Sequence, residues 1–349
     1  MFYSEFVAKK ITFSRSVRLY FANFAMLKML LLNSCDITNK MKPIYFAPLQ
    51  GYTDDVYRRV HYKLVGGVEY YYTPFVRFEA GGIRSKDVRD IAPENNAGTP
   101  VVPQLIFAGR KDFEYLVSRV EELGYKEIDL NMGCPFPLQA KHGKGCGILA
   151  RPDVVADVLE GVKAHSNISF SVKMRLGWDD ISEATNIIKL LNSTNLQHVT
   201  LHPRTGAQQY KGSVDVDAFA QLHKECVHPM IYNGDLCTLD DIYRIEEKFP
   251  GLKGIMLGRG LLARPSLATE YSEGAAWDNS RSIALMLKLH RALMVEYSRI
   301  LKGDTQMLSK MRTFWEYAEP LLGRKPYKKI MKSGNLKNYL AAVDELRFL

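Results

Sequence analysis

Eight short apolar runs, helix-length segments between them, and a strand-free basic tail predict a (β/α)8 TIM barrel followed by a small all-α C-terminal domain. Parallel strands covered on both faces read as continuous apolar runs, and eight strand–helix units over roughly 230 residues match what such a barrel needs. A doubly wound sheet is the competing α/β architecture. It rarely uses eight parallel strands, and no G-x-G-x-x-G follows the first run. The 349 residues are 46% apolar and 24% charged, which excludes wholesale disorder, a collagen-like chain and a polytopic membrane protein.

Residues 1–40 are basic early, apolar over 21–32, and end in polar Asn33-Ser34-Cys35-Asp36. That order resembles a secretory signal, but Asn23 and Lys28 interrupt the apolar run. Met41-Lys42-Pro43-Ile44 has the form of a start followed directly by a strand. A mis-assigned start at this point is therefore expected, with a targeting segment as the second reading. The strands follow at 44–49, 68–75, 101–106, 127–133, 169–176, 198–203, 230–234 and 254–259. Segments such as 112–123 and 152–164 have helical spacing, and Pro152 suits an opening turn. After about residue 270 three helices are expected, at 283–301, 307–322 and 326–349, separated by Gly303-Asp304 and Gly323-Arg324-Lys325-Pro326. The expected plan is an extension at 1–40, a catalytic barrel at 41–270 and a helical domain at 271–349.

Charge divides along the same lines. Residues 281–349 carry 14 Lys/Arg against 6 Asp/Glu, whereas 41–280 carry 27 against 30. A slightly acidic body with a basic tail fits a polyanionic partner, or equally a solvated basic helix face. Arg312, Arg324, Lys325, Lys328, Lys329 and Lys332 cluster there, with Phe314, Trp315, Tyr317 and Tyr327 interleaved. The five cysteines form no C-x-x-C pair, so neither a zinc site nor a disulfide framework is expected, and the default setting is a reducing cytoplasm.

In such a barrel chemistry sits at the C-terminal strand ends. Those ends carry Ala47-Pro48-Leu49-Gln50-Gly51-Tyr52-Thr53-Asp54, then Gln104, Asn131-Met132-Gly133-Cys134-Pro135, Val172-Lys173-Met174-Arg175, His202-Pro203-Arg204-Thr205, Asn233-Gly234-Asp235 and Gly258-Arg259-Gly260. Glycines after strands seven and eight admit a phosphate, and Arg259 adds a charged fork. Cys134 sits at an abrupt turn suited to proton transfer or nucleophilic attack. Its rival Cys146 has the Gly-rich flanks of a mobile loop, and Cys226 and Cys237 lie in helical patterns. Lys173 should point inward, to bind an anionic cofactor atom or to form a Schiff base. His202 and Arg204, two residues apart, should both face the mouth. Gln104 suits a flat heteroaromatic edge.

Together these motifs resemble those of the tRNA-dihydrouridine synthases, from about residue 43 to the C-terminus, with Asn-x-Gly-Cys-Pro the most specific. Leu49, Gln50 and Pro203 depart mildly from the family pattern. Arg175-Leu176-Gly177-Trp178-Asp179 and the tail resemble the bacterial C branch. The resemblance implies an FMN barrel with a helical tRNA-binding domain. It implies Pro48, Leu49 and Gln50 under the flavin ring, Gln104 and Lys173 on the isoalloxazine, and His202 near ring and ribityl. Asn233, Gly234, Asp235, Gly258 and Arg259 match the ribityl and phosphate site, and Cys134 matches the catalytic acid. Asn131, Arg175 and Arg204 are then expected at the substrate, and Arg312, Arg324, Lys325, Lys328 and Lys329 on tRNA.

The implied reaction reduces the C5–C6 bond of D-loop uridines, position 16 favoured, with NADPH or NADH as reductant. A thiol of pKa near 8.5 is mostly protonated at neutral pH and can supply the proton to C5. The uridine must leave the stack to enter a barrel mouth. Neither a membrane nor an obligate protein partner is implied. The alternatives are an FMN barrel acting on a free pyrimidine, resembling dihydroorotate dehydrogenase, a non-catalytic RNA-binding barrel, and a Schiff-base aldolase using Lys173.

Overall fold

The computed structural model describes residues 41–79 and 81–348, so the expectation for residues 1–40 lies outside it. Each of the eight expected runs forms strand. The described strands are, in chain order, β1 (Ile44–Phe46), β2 (Tyr70–Tyr72), β3 (Val76–Glu79), β4 (Gly82–Ile83), β5 (Val101–Val102), β6 (Gln104–Ile106), β7 (Glu127–Met132), β8 (Ser169–Arg175), β9 (Val199–His202), β10 (Met230–Tyr232) and β11 (Gly254–Leu257), of which β3 and β4 lie outside the expected runs. Two runs differ from expectation. The third breaks at Pro103, which has no N–H for the ladder. Its first half, β5, pairs with β2, and its second, β6, pairs with β3 and β7. Past Pro74 in the second, the chain resumes as β3, which pairs with β6 in the barrel sheet and with β4 in a short antiparallel hairpin. Thr73 bridges the gap: its N–H donates to Val102 O at 3.0 Å and its Oγ1 accepts from Gln104 N at 3.0 Å. With β11 paired to β1, the barrel closes.

The helices are α1 (Asp55–Leu64), α2 (Ser85–Ile91), α3 (Arg110–Glu122), α4 (Pro137–Lys141), α5 (Pro152–Ala164), α6 (Ile181–Leu191), α7 (Val216–Glu225), α8 (Leu239–Lys248), α9 (Arg259–Ala263), α10 (Leu267–Glu273), α11 (Asn279–Ser298), α12 (Gly303–Trp315), α13 (Glu319–Leu322), α14 (Arg324–Met331) and α15 (Leu336–Asp344). Apolar faces at helical spacing, such as Phe113, Leu116, Val117 and Val120 of α3, are buried against the strands. A separate cluster of Tyr45, Ala47, Tyr72, Val102, Ile231 and Met256 packs together, with Tyr72 Oη 3.0 Å from His198 Nε2. Among the described residues no helix is long and apolar enough to cross a membrane.

The tail has more helices than expected. The segment 307–322 divides into α12 and α13, because Pro320 belongs in an opening turn rather than a helix interior. The segment 326–349 divides at Gly334-Asn335, where Asn335 caps α15 by accepting from Asn338 N at 2.8 Å. The tail packs on the barrel through the first βα loop. Lys310 lies 2.8 Å from Asp54 and donates to Gly51 O at 2.9 Å, and Tyr297 donates to Asp54 at 2.7 Å.

Candidate active site

Residues on one face of a strand recur every second position, so β7 turns Asp129 and Asn131 the same way, and β8 Ser171, Lys173 and Arg175. Register then aligns them in rows: Gln104 beside Asp129 beside Ser171, Asn131 beside Lys173, and Arg175 beside His202. In the lowest row Gln104 Nε2 and Ser171 Oγ donate to Asp129 at 2.7 and 2.6 Å. Burial raises the Asp129 carboxyl to about 6 despite both donors. Asn131 Nδ2 donates to Gln104 Oε1 at 2.6 Å, which fixes the Gln104 amide while leaving one N–H and one lone pair for a ligand. In the row above, burial and the neighbouring Arg175 lower the Lys173 ammonium to about 8, against the pull of Asp129 and Cys134.

Asn131 also builds the loop that follows. Its Oδ1 accepts from Gly133 N at 3.1 Å and Cys134 N at 2.9 Å, an Asx turn that sets the thiol at the end of β7. A second loop closes behind it, with Cys146 N donating to Cys134 O at 3.0 Å. Gly145 permits this approach: its φ is +57°, and a Cβ there would lie 2.7 Å from Cys134 Cβ. The mobile loop expected around Cys146 is thus a buried turn. Cys146 Sγ donates to Gly177 O at 2.9 Å, and burial pushes its pKa up to about 12. Burial raises the Cys134 thiol too, opposed by the Phe136 N–H and by Arg175.

At the other end lie the loops after β10 and β11. Asn233 Nδ2 donates to Met256 O at 2.7 Å, tying the two together. Asp235 bridges Arg204 and Arg259. Burial alone would raise its carboxyl, but the two guanidiniums hold it below the usual range. Tyr210 presents its ring to the Arg175 and Arg259 guanidiniums, 5.3 and 4.8 Å from the centroid. Burial, then the surrounding cations, keeps His202 neutral.

These groups converge on one cavity of about 430 Å³ at the C-terminal strand ends. It is lined by Pro48, Leu49, Gln50, Gln104, Asn131, Cys134, Lys173, Arg175, His202, Asn233, Gly234, Asp235, Gly258 and Arg259, all expected from sequence. Arg204 is a correction. Its side chain is 1% exposed and committed to Asp235 and Gly212 O, so it braces the wall and does not face the mouth. Arg312 is another, its guanidinium donating to Ser333 O between tail helices. Cys237, expected in a helix, precedes the α8 cap Thr238 and lines the cavity. Arg324, Lys325, Lys328 and Lys329 are exposed on or beside α14, away from the cavity.

The sequence gives no site role to Asp129, buried beneath Gln104, or to Tyr210 and Pro320 of the cavity lining, and it places Tyr317 with the tail aromatics rather than at the cavity. The alternation in Asp129-Leu130-Asn131 was a usable signal for the first. Tyr210 and Tyr317 come from loops whose path no local pattern gives, and Pro320 from the first turn of α13.

The dihydrouridine synthase family model matches residues 45–346. The chain belongs to the dihydrouridine synthase family. A probable tRNA-dihydrouridine synthase of Staphylococcus aureus (strain COL) is 27% identical over 86% of this chain and 91% of its own. The tRNA-dihydrouridine(16) synthase of Neisseria meningitidis serogroup B is 30% identical over 66% of this chain and 71% of its own. Among solved structures, morphinone reductase in complex with tetrahydroNAD is similar with a TM-score of 0.49 at 11% identity, over 67% of this chain and 87% of that one.

Membership of the dihydrouridine synthase family implies a flavin, and the donor chemistry of the cavity fits one. Lys173 brings a cation to the wall with no hydrogen-bond partner among the groups that set its charge state. Ala47, Pro48 and Leu49 supply an apolar floor, and the volume falls within the roughly 300–1,000 Å³ usual for cofactor sites.

Proposed function

We propose that this protein reduces the C5–C6 double bond of uridine in tRNA to 5,6-dihydrouridine, with FMN as cofactor, NADPH as reductant and Cys134 as proton donor. The observation that carries the reading is that one cavity is lined by Cys134, Lys173, Gln104 and the Gly234 and Gly258 loops together. FMN, when bound, supplies hydride to uridine C6. Gly234, Gly258 and Arg259 would hold its phosphate, and Lys173 and Gln104 its ring edge. Asn131 and Arg175 are placed to orient the uracil.

The Cys134 thiol completes the addition by giving its proton to C5. Burial keeps it protonated at neutral pH, and the thiolate left behind is stabilised by the Phe136 N–H, Arg175 and Lys173. Cys146 is withdrawn from this role by its bond to Gly177 O.

Arg324, Lys325, Lys328 and Lys329 bind tRNA phosphates in this reading. Arg324 and Lys325 stand in the first turn of α14, where the helix dipole disfavours cations. A bound phosphate would relieve that unfavourable placement. The family relatives and the C-branch resemblance support uridine 16 of the D-loop as target. The test is to incubate the purified protein with NADPH and tRNA from cells lacking the modification, then map residues that have gained two hydrogens. Gain at a D-loop uridine with release of FMN on denaturation is expected. No gain with flavin-loaded protein would reject the reading.

A further inference from the structure

The loop that carries Cys134 continues as Pro135-Phe136-Pro137-Leu138. Phe136 is 57% exposed and Leu138 55%. Their backbone is not free to adapt. Phe136 lies between two prolines with φ −67° and ψ 120°, the extended conformation that a following proline enforces. Its carbonyl accepts from Gln139 N at 2.9 Å and Ala140 N at 3.1 Å, and Cys134 on its other side is held by Asn131 and Cys146. Cys134 and Pro135 line the cavity. An aromatic ring therefore stands in water on a rigid stem, one residue beyond the cavity edge.

We propose that Phe136 is a wedge that stacks in the gap a uridine leaves in the RNA when it enters the cavity, with Leu138 packing beside it. This rests on the proposed reduction of tRNA uridine and names the group that meets the neighbouring nucleotides. A base taken out of the stack leaves its neighbours without partners, and apolar side chains inserted between base steps are a general device for holding such a gap open. With the backbone fixed in advance, only the two side-chain torsions of the ring are left to be ordered on binding. The neighbouring segment suits a polyanion: Lys141, three residues after Leu138 in the short helix α4, is exposed. An exposed flat aromatic with a lysine five residues on fits nucleic acid better than an apolar protein face.

The test compares the parent with Phe136→Ala and Phe136→Trp, all flavin-loaded, on tRNA from cells lacking the modification. Phe136→Ala should lower kcat/KM for dihydrouridine formation about 5- to 100-fold, the worth of one stacking contact. Phe136→Trp should retain activity within about threefold, since its larger face stacks at least as well. Flavin content, NADPH oxidation with an artificial acceptor, and thermal midpoint should be unchanged in both. If the parent forms dihydrouridine and Phe136→Ala matches it, or if both variants fall alike, the wedge is wrong while the proposed reaction stands. A change in oligomeric state on substitution would mark the face as a protein contact and also overturn it. A flavin-loaded parent that forms no dihydrouridine removes the proposed reaction and the wedge with it.

Discussion

Arg259 shares Asp235 with Arg204, so its removal leaves Asp235 still paired and the wall intact. Arg259→Ala should therefore act on the cofactor and spare the fold. A hydrogen bond to a charged group contributes about 1.5–3 kcal/mol, so the FMN dissociation constant should rise about 10- to 100-fold. Fluorescence titration of the flavin-free protein measures it, and an unchanged constant means the phosphate lies elsewhere. The cavity residues were legible because inward strand positions and strand-end glycines obey short periods. Arg204 was misplaced because a two-residue spacing holds only while the chain stays extended, and β9 ends at His202. Tyr210 and Tyr317 were not legible as cavity residues. They reach it through loops whose course depends on tertiary contacts, such as the 5.6 Å packing of Tyr317 on Tyr52.

The first βα loop and the tail helices α11 and α12 share one buried polar cluster. Asp54 caps α1 through Tyr57 N and also receives Tyr297 and Lys310. Burial works against its carboxylate, but these partners hold it below the usual range. Lys310→Met leaves that charge buried with one partner fewer, and removing a buried partner costs about 3–5 kcal/mol. Urea melts at neutral pH should show this, and pairing the change with Asp54→Asn should recover part of it. A folded pKa below the unfolded value means that Asp54 stabilises at neutral pH, and the contribution is lost as pH falls through the folded value. Equal stability of Lys310→Met and parent would mean that the tail is held by its apolar packing alone. Strand and helix identities were legible from apolar runs. The breaks at Pro103, Pro320 and Gly334 mark where proline and glycine overrode a longer pattern.

At the scale of the whole molecule, the uneven charge is the property that bears on tRNA. Reversing Arg324, Lys325, Lys328 and Lys329 to Glu should weaken tRNA binding and lower the slope of log K against log salt by about 0.7–0.9 for each phosphate no longer neutralised. Filter binding across a salt series reads both. An unchanged slope would mean that RNA is held on another face. Acid stability is also set globally. Burial lowers His61 and His290 to about 4 and His198 to about 3, so all three fold neutral. The unfolded chain binds those protons first, so the histidine contribution is full above about pH 6.5 and falls as pH drops toward the folded values, by up to about 3 kcal/mol each for His61 and His290 and about 5 kcal/mol for His198. Asp90 and Asp129, raised by burial to about 7 and about 6, gain stability over the same range, so the test compares variants: the loss in urea midpoint from pH 7 to 5 should be smaller in His290→Gln than in the parent, and an equal loss would contradict the buried neutral assignment.

The role of Cys134 is the centre of the account, and reoxidation of the reduced enzyme by tRNA tests it most directly. Parent, Cys134→Ala and Cys146→Ala are each reduced with NADPH without oxygen and mixed with unmodified tRNA in a single turnover. Reduction should proceed equally in all three, because no thiol takes part in it. Reoxidation by tRNA should slow about 10²–10⁴-fold in Cys134→Ala, the usual worth of a general acid, and far less in Cys146→Ala. Reoxidation of Cys134→Ala at the parental rate, or equal slowing in the two variants, would contradict the assignment of the proton donor.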